Sequence, residues 1–152
     1  MLLSNYLTGN LIVASMKSKC SHKFVGSENM ELVYATEKLE QQCTKLSEAN
    51  KLFDGNVALA TSLLARINAL ERAECIKDII VQPPFHFHAL KNKKGRNLEG
   101  YFAIDVKTRK EQWRILLQPL DEKKEPYYPC KIDQISDKVK VVGLEEVSKH
   151  YE

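Results

Sequence analysis

Apolar and polar positions fall into a regular pattern only from Met30 onward. Glu31-Leu32-Val33-Tyr34-Ala35 alternates as a strand does. Thr36 follows, a residue whose hydroxyl can accept from the first free amides of a helix. Leu39, Cys43 and Leu46 then recur at spacings of four and three, which predicts a helix from Thr36 to about Asn50. A second helix is predicted from about Asn56 to Ala73, with a broad apolar stripe of Val57, Leu59, Ala60, Leu63, Leu64, Ile67 and Leu70. A short turn, Ile76 to Val81, ends at Pro83-Pro84, where neither proline can donate to a ladder.

After the prolines the period changes from helical to two. Strands are predicted at His86–Leu90, Leu98–Val106, Glu111–Leu117 and Val139 to about Val147, with a polar, Pro-interrupted loop from Asp121 to Ile135. In the second of these, Leu98, Gly100, Phe102, Ile104 and Val106 share one face, and Glu99, Tyr101, Ala103 and Asp105 the other. In the third, Trp113, Ile115 and Leu117 face inward, so Arg114 is expected to point outward with Gln112. One strand, two helices and a run of strands make an α+β domain: two N-terminal helices packed on one face of a largely antiparallel sheet of about five strands. Residues 1–29 mix Ser, Asn, Lys and Gly with no sustained period. The expected organisation is a peripheral or flexible extension (1–29), or a product of start-site choice, ahead of one folded domain (30–152).

Composition changes this picture little. The chain has 152 residues, enough to bury a core, and a formal net charge of only +3. Cys20, Cys43, Cys75 and Cys130 include no CxxC spacing, and free thiols in a reducing cytosol are the simplest reading. No apolar run reaches membrane-spanning length. A cytoplasmic protein is expected.

Charge distribution says more than its sum. Between His86 and Arg114 lie eight cations (Lys91, Lys93, Lys94, Arg96, Lys107, Arg109, Lys110 and Arg114) against Glu99, Asp105 and Glu111. A positive patch on a nearly neutral body suits a phosphate backbone, although a solvated Lys-rich hairpin would look the same. Two histidines precede it. His86 and His88 are two apart on a predicted strand, so both rings should leave one face. A metal would need a third ligand such as Cys75 or His150, and no spacing demands one; no metal or cofactor is expected. His86, between two phenylalanines, reads as a packed ring and His88 as a candidate for acid–base work. If the sheet is concave, His88, Lys91, Arg114 and His150 can converge on its open face. Imidazole beside fixed cations suits RNA cleavage by attack of its own 2′-hydroxyl: a base takes the hydroxyl proton, cations hold the developing charge and an acid protonates the leaving oxygen.

Four stretches carry a resemblance: "ELVYATEKLEQQCTKL", "HALK" followed by "GYFAIDV", "QWRILLQP" and "VSKHYE". In order and spacing, over some four-fifths of the chain, they resemble the HigB branch of the RelE/ParE superfamily, the proteic killer proteins of bacterial type II toxin–antitoxin systems. The resemblance implies a compact RelE-like fold and a ribosome-dependent mRNA interferase silenced by a cognate helix-turn-helix antitoxin, with operator DNA met only through that antitoxin. Carried over, the family's active site falls on His88, Lys91, Arg114 and His150, with Tyr151 beside the last. Lys93, Lys94, Arg96 and Arg109 would grip RNA. The "NKKGRNLE" segment is longer than the family's short Gly turn, so the counterpart of its second loop cation is Lys93, Lys94 or Arg96. Two other readings stand beside this one: a ParE-like, non-catalytic inhibitor of a protein target such as gyrase, and an inactive RNA-binding domain.

Overall fold

The structure is a computed structural model that describes residues 29–92 and 95–149. The expected 1–29 extension lies, except for Asn29, outside the described residues. The fold is α+β. Among the described residues a five-stranded sheet runs in the order β1-β5-β4-β3-β2, formed by β1 (Glu31–Tyr34), β2 (His88–Ala89), β3 (Phe102–Asp105), β4 (Arg114–Leu120) and β5 (Val141–Ser148). Neighbours are antiparallel except β1 and β5, which pair in parallel from Glu31↔Val141 to Tyr34↔Leu144. No helix among the described residues is long and apolar enough to cross a membrane.

Helices α1 (Glu37–Thr44), α2 (Leu46–Leu52) and α3 (Val57–Arg72) cover one face. The expected cap forms, with Thr36 Oγ1 accepting from Leu39 N at 3.0 Å, and Asn56, where the second helix was expected to start, caps it by accepting from Leu59 N at 3.2 Å. The first predicted helix is, however, two. Lys45 is extended, and Thr44 turns its hydroxyl back to the Glu40 carbonyl at 2.7 Å, a bond that bends helices. The break re-aims the face that packs: Ala49 and Phe53 are buried, whereas Leu46, expected in the stripe, is half exposed. The core between helices and sheet takes Leu59, Leu63, Ile67 and Leu70 from α3, Ile104 from β3, Ile115 and Leu117 from β4, and Val142 and Leu144 from β5. The segment expected to be a turn after α3 contains one helical turn, α4 (Lys77–Ile80), which buries Ile76 and Ile79. A further one, α5 (Ile132–Ile135), sits in the expected polar loop.

The other face of the sheet is not bare. Leu90 and Leu98 fold back over Ala103 and Leu116 to make a second, smaller apolar cluster. The sequence put Leu98 on the helix side with Ile104. A turn overturns that expectation: Gly100 has φ +86, a value open to glycine, and Tyr101 N bonds to the Leu98 carbonyl, so strand periodicity starts only at Phe102. Asn92 Oδ1 accepts from Leu98 N at 2.8 Å and ties off the base of this covering loop.

Candidate functional site

Register decides which polar side chains meet. Asp105 ends β3 directly opposite Arg114, which begins β4, and Arg114 in turn faces Ser148 at the end of β5. His88 pairs with Ala103, two residues along β3 from Asp105. Directly paired residues project to the same side, so His88, Asp105, Arg114 and Ser148 share the face away from the helices.

Arg114 is not on the surface. It is 2 % exposed and Asp105 1 %. The expectation of an outward, solvated guanidinium is thereby corrected: strand parity gave the right side, but that side is covered. All three guanidinium nitrogens are engaged. Nε pairs with Asp105 Oδ1 at 3.2 Å, one terminal nitrogen donates to the Trp113 carbonyl at 3.0 Å and the other to the Arg109 carbonyl at 3.4 Å. A buried charge needs such partners, and the Asp–Arg pair satisfies two of them at once.

The same carboxylate oxygen receives a second donor, His86 Nδ1 at 3.2 Å. His86 is not in a strand. It closes a 3-10 turn, Pro83–Phe85, in the left-handed conformation with φ 51. Its side chain is 28 % exposed and ion-paired, so the packed-ring expectation is corrected as well. The His86 ring lies 4.4 Å from that of His88, tilted by 31°. His88 Nδ1 lies 2.7 Å from the His86 carbonyl. A carbonyl only accepts, so His88 carries its proton on Nδ1 and, when neutral, its lone pair on Nε2.

Arg66 of α3 braces this corner from the helix side. Its Nε donates to the Asp105 carbonyl at 2.9 Å, its NH2 nitrogen donates to the Pro84 and Lys107 carbonyls, and its guanidinium lies 4.5 Å over the Phe85 ring. Burial pulls its pKa below the usual guanidinium value, and the charge of Asp105 opposes that shift. One side chain thus fixes the turn that carries His86 to the end of β3.

The other sequence-predicted residues are distributed as follows. Arg109, exposed, sits in a 3-10 turn between β3 and β4, beside Lys107 and Lys110 at the Asp105 end of the sheet. Arg96 reaches from the covering loop to Glu146 of β5 at 3.8 Å, both half exposed. Lys91 is not brought to the cluster. Leu90 N bonds to the Tyr101 carbonyl, so Lys91 lies beyond the far end of β3 from Asp105, in an open groove with Tyr101 and the Cys130–Gln134 segment. Lys93, Lys94, His150 and Tyr151 lie outside the described residues. No family model, curated protein or solved structure matches the chain.

Sequence reasoning missed Asp105 and Arg66 as site residues. The signal for Asp105 was present: its parity put it on the same side as Arg114, across a single predicted hairpin. Arg66 gave none, because its partners are backbone carbonyls distant in sequence. No group of three or more His, Cys, Asp or Glu among the described residues is placed to hold a metal ion. Cys43, Cys75 and Cys130 are free thiols, and Cys20 lies outside the described residues.

Chemically, this corner offers an imidazole with a defined tautomer, a second imidazole held by a buried carboxylate, and exposed cations at Lys107, Arg109 and Lys110. That set can move a proton to or from a hydroxyl and attract a phosphodiester.

Proposed function

We propose that the chain is the toxin of a type II toxin–antitoxin pair, an mRNA interferase that cuts messages on the ribosome by metal-independent attack of the RNA 2′-hydroxyl. The observation that carries this reading is the meeting of His88, His86, Asp105 and Arg114 at one end of the sheet, with the exposed Lys107, Arg109 and Lys110 in the adjoining turn. The resemblance to HigB-like proteins supports it, as does the arrangement of helices on one face of the sheet. His88 Nε2 takes the 2′-hydroxyl proton. Arg114 does its work through Asp105, whose orientation it fixes, and the exposed Arg109 meets the phosphate together with Lys107 and Lys110. Arg96, Lys91, Lys93 and Lys94 extend the grip to neighbouring backbone, and His150 and Tyr151 are the resemblance's remaining site residues. Partners under this reading are a helix-turn-helix antitoxin, through which operator DNA is met, and the translated message.

One observation favours a second reading. The Arg114 guanidinium is buried and held by Asp105 and two carbonyls, which suits a structural brace in a protein that binds RNA or a protein target without cutting it. Induced expression separates the two. The interferase reading expects growth arrest with new mRNA ends inside translated messages, and cleavage that persists in EDTA. Arrest with intact messages and inhibited gyrase would move the case to a ParE-like inhibitor. Messages bound but uncut would make it an RNA-binding domain.

A further inference from the structure

We propose that His86 is the second acid–base group of this site, working with His88 as a pair; this rests on the RNA-cleaving reading. The geometry around His86 is more than packing requires. The residue occupies a left-handed conformation, uncommon for residues other than glycine. Its Nδ1 is aimed at Asp105, and Asp105 is fixed on one side by Arg114 Nε and, through its carbonyl, by Arg66 Nε. A ring that merely filled space would need no such chain of supports.

Both histidines use Nδ1 as a donor, His86 to the carboxylate and His88 to the His86 carbonyl. Each neutral ring therefore carries its lone pair on Nε2, and the rings stand 4.4 Å apart. Two such rings sharing one proton make a matched base and acid for a single phosphodiester. The neutral ring, His88, takes the 2′-hydroxyl proton on Nε2 as the 2′-oxygen bonds to phosphorus. The protonated ring, His86, gives its Nε2 proton to the 5′-oxygen as the phosphorus–oxygen bond breaks. The products are a 2′,3′-cyclic phosphate and a 5′-hydroxyl. No proton is gained or lost overall, and no other reactant is needed.

The charged groups of the elements around the pair are Asp105 of β3, which His86 contacts, Arg114 of β4, which holds Asp105, Arg66 of α3, which bonds the Asp105 carbonyl, the exposed Lys107, Arg109 and Lys110 beyond β3, and, on the same sheet face, Glu146 of β5 with its partner Arg96. A rate that requires one proton on two rings is bell-shaped in pH.

The decisive variant is His86→Asn. Asparagine tolerates the left-handed backbone, and its side-chain amide can donate to Asp105 in place of Nδ1, while Nε2 is lost. Single-turnover cleavage on programmed ribosomes is measured with the full chain from about pH 5 to about pH 8. The wild type should give a bell. His86→Asn should cut on the order of a hundredfold more slowly and lose one limb of it. His86→Asn with the wild-type rate and the full bell would overturn the proposal, because the carboxylate contact alone would then suffice. In parallel, imidazole nitrogen resonances of the full chain are followed through the same pH range. Both neutral rings should carry the proton on Nδ1. An Nε2–H tautomer in either ring would also overturn it. A wild type that cuts no message while showing both Nδ1–H tautomers would overturn the RNA-cleaving reading and the catalytic role of His86 with it, leaving the paired rings as a fact of structure.

Discussion

The two faces of the sheet are built on opposite principles. On the helix side, Leu63, Leu70, Ile104, Ile115 and Leu144 exclude water with apolar side chains alone. On the other side, Leu90, Leu98, Ala103 and Leu116 make a small apolar patch, and next to it Asp105 and Arg114 are just as deeply buried. Burial on the helix side needs only fit. Burial at the Asp105–Arg114 corner needs each charge to find its partner, so that corner is intolerant of change in one member and specific in geometry. A protein that needed only a lid over its sheet could have extended the apolar patch. The polar corner is therefore where the proposed chemistry is placed.

The largest effects should come from breaking the buried pair. Arg114→Ala or Asp105→Ala leaves an uncompensated buried charge and should cost about 3–5 kcal/mol of stability. That rivals the about 2–5 kcal/mol expected for Leu63→Ala in the helix-side core. Replacing both members of the pair by leucine should recover most of the stability without recovering cleavage. Denaturant unfolding reads all four variants. A loss near 0.5 kcal/mol for Arg114→Ala, the value of an ordinary surface site, would show the pair to be solvated and would erase the contrast.

A smaller effect concerns the helix side at high pH. Burial pushes the Cys43 thiol from 9.0 up to about 12 and moves the Tyr34 phenol in the same direction. The unfolded chain ionises this thiol near 9 and the folded chain resists. Stability is therefore complete below about pH 9 and declines as pH rises toward 12. The melting temperature should fall over that window, and Cys43→Ala should blunt the fall. An alkaline decline unchanged in Cys43→Ala would assign it elsewhere.

The smallest effect on stability should come from Arg96→Ala. The Arg96–Glu146 pair is half exposed and 3.8 Å long, so its loss should change stability by less than about 1 kcal/mol. RNA binding should nevertheless weaken, with the salt slope reduced by about 1. Unchanged RNA affinity and slope would remove the covering loop from the interface.

Much of the fold was legible because it is local. Thr36 caps its helix as expected, α3 starts at the expected place and buries Leu59, Ala60, Leu63, Ile67 and Leu70 of its stripe, and the last strand differs by only a residue or two from its predicted limits. The misreadings are non-local. Parity assigned Arg114 to the correct side of β4 but could not say that the Asp105 carboxylate and the Trp113 and Arg109 carbonyls would hold it there, buried. His86 looked like a strand residue because periodicity cannot register a left-handed turn set by two prolines and braced by Arg66. Asp105 became visible only when register placed it opposite Arg114. Of the proposed catalytic set, His88 was legible as a residue type in a suggestive place; its tautomer, which decides what it can do, required the His86 carbonyl.

The central claim is that the polar corner acts and the helix side supports. His88→Ala tests it most directly, because this ring is only partly buried and its loss opens no core cavity. Wild type and variant are compared by melting curve and by single-turnover cleavage of message on programmed ribosomes. The account predicts a variant that changes stability by no more than about 1 kcal/mol yet cuts at least about a hundredfold more slowly. A His88→Ala protein that melts normally and cuts at the wild-type rate would contradict it.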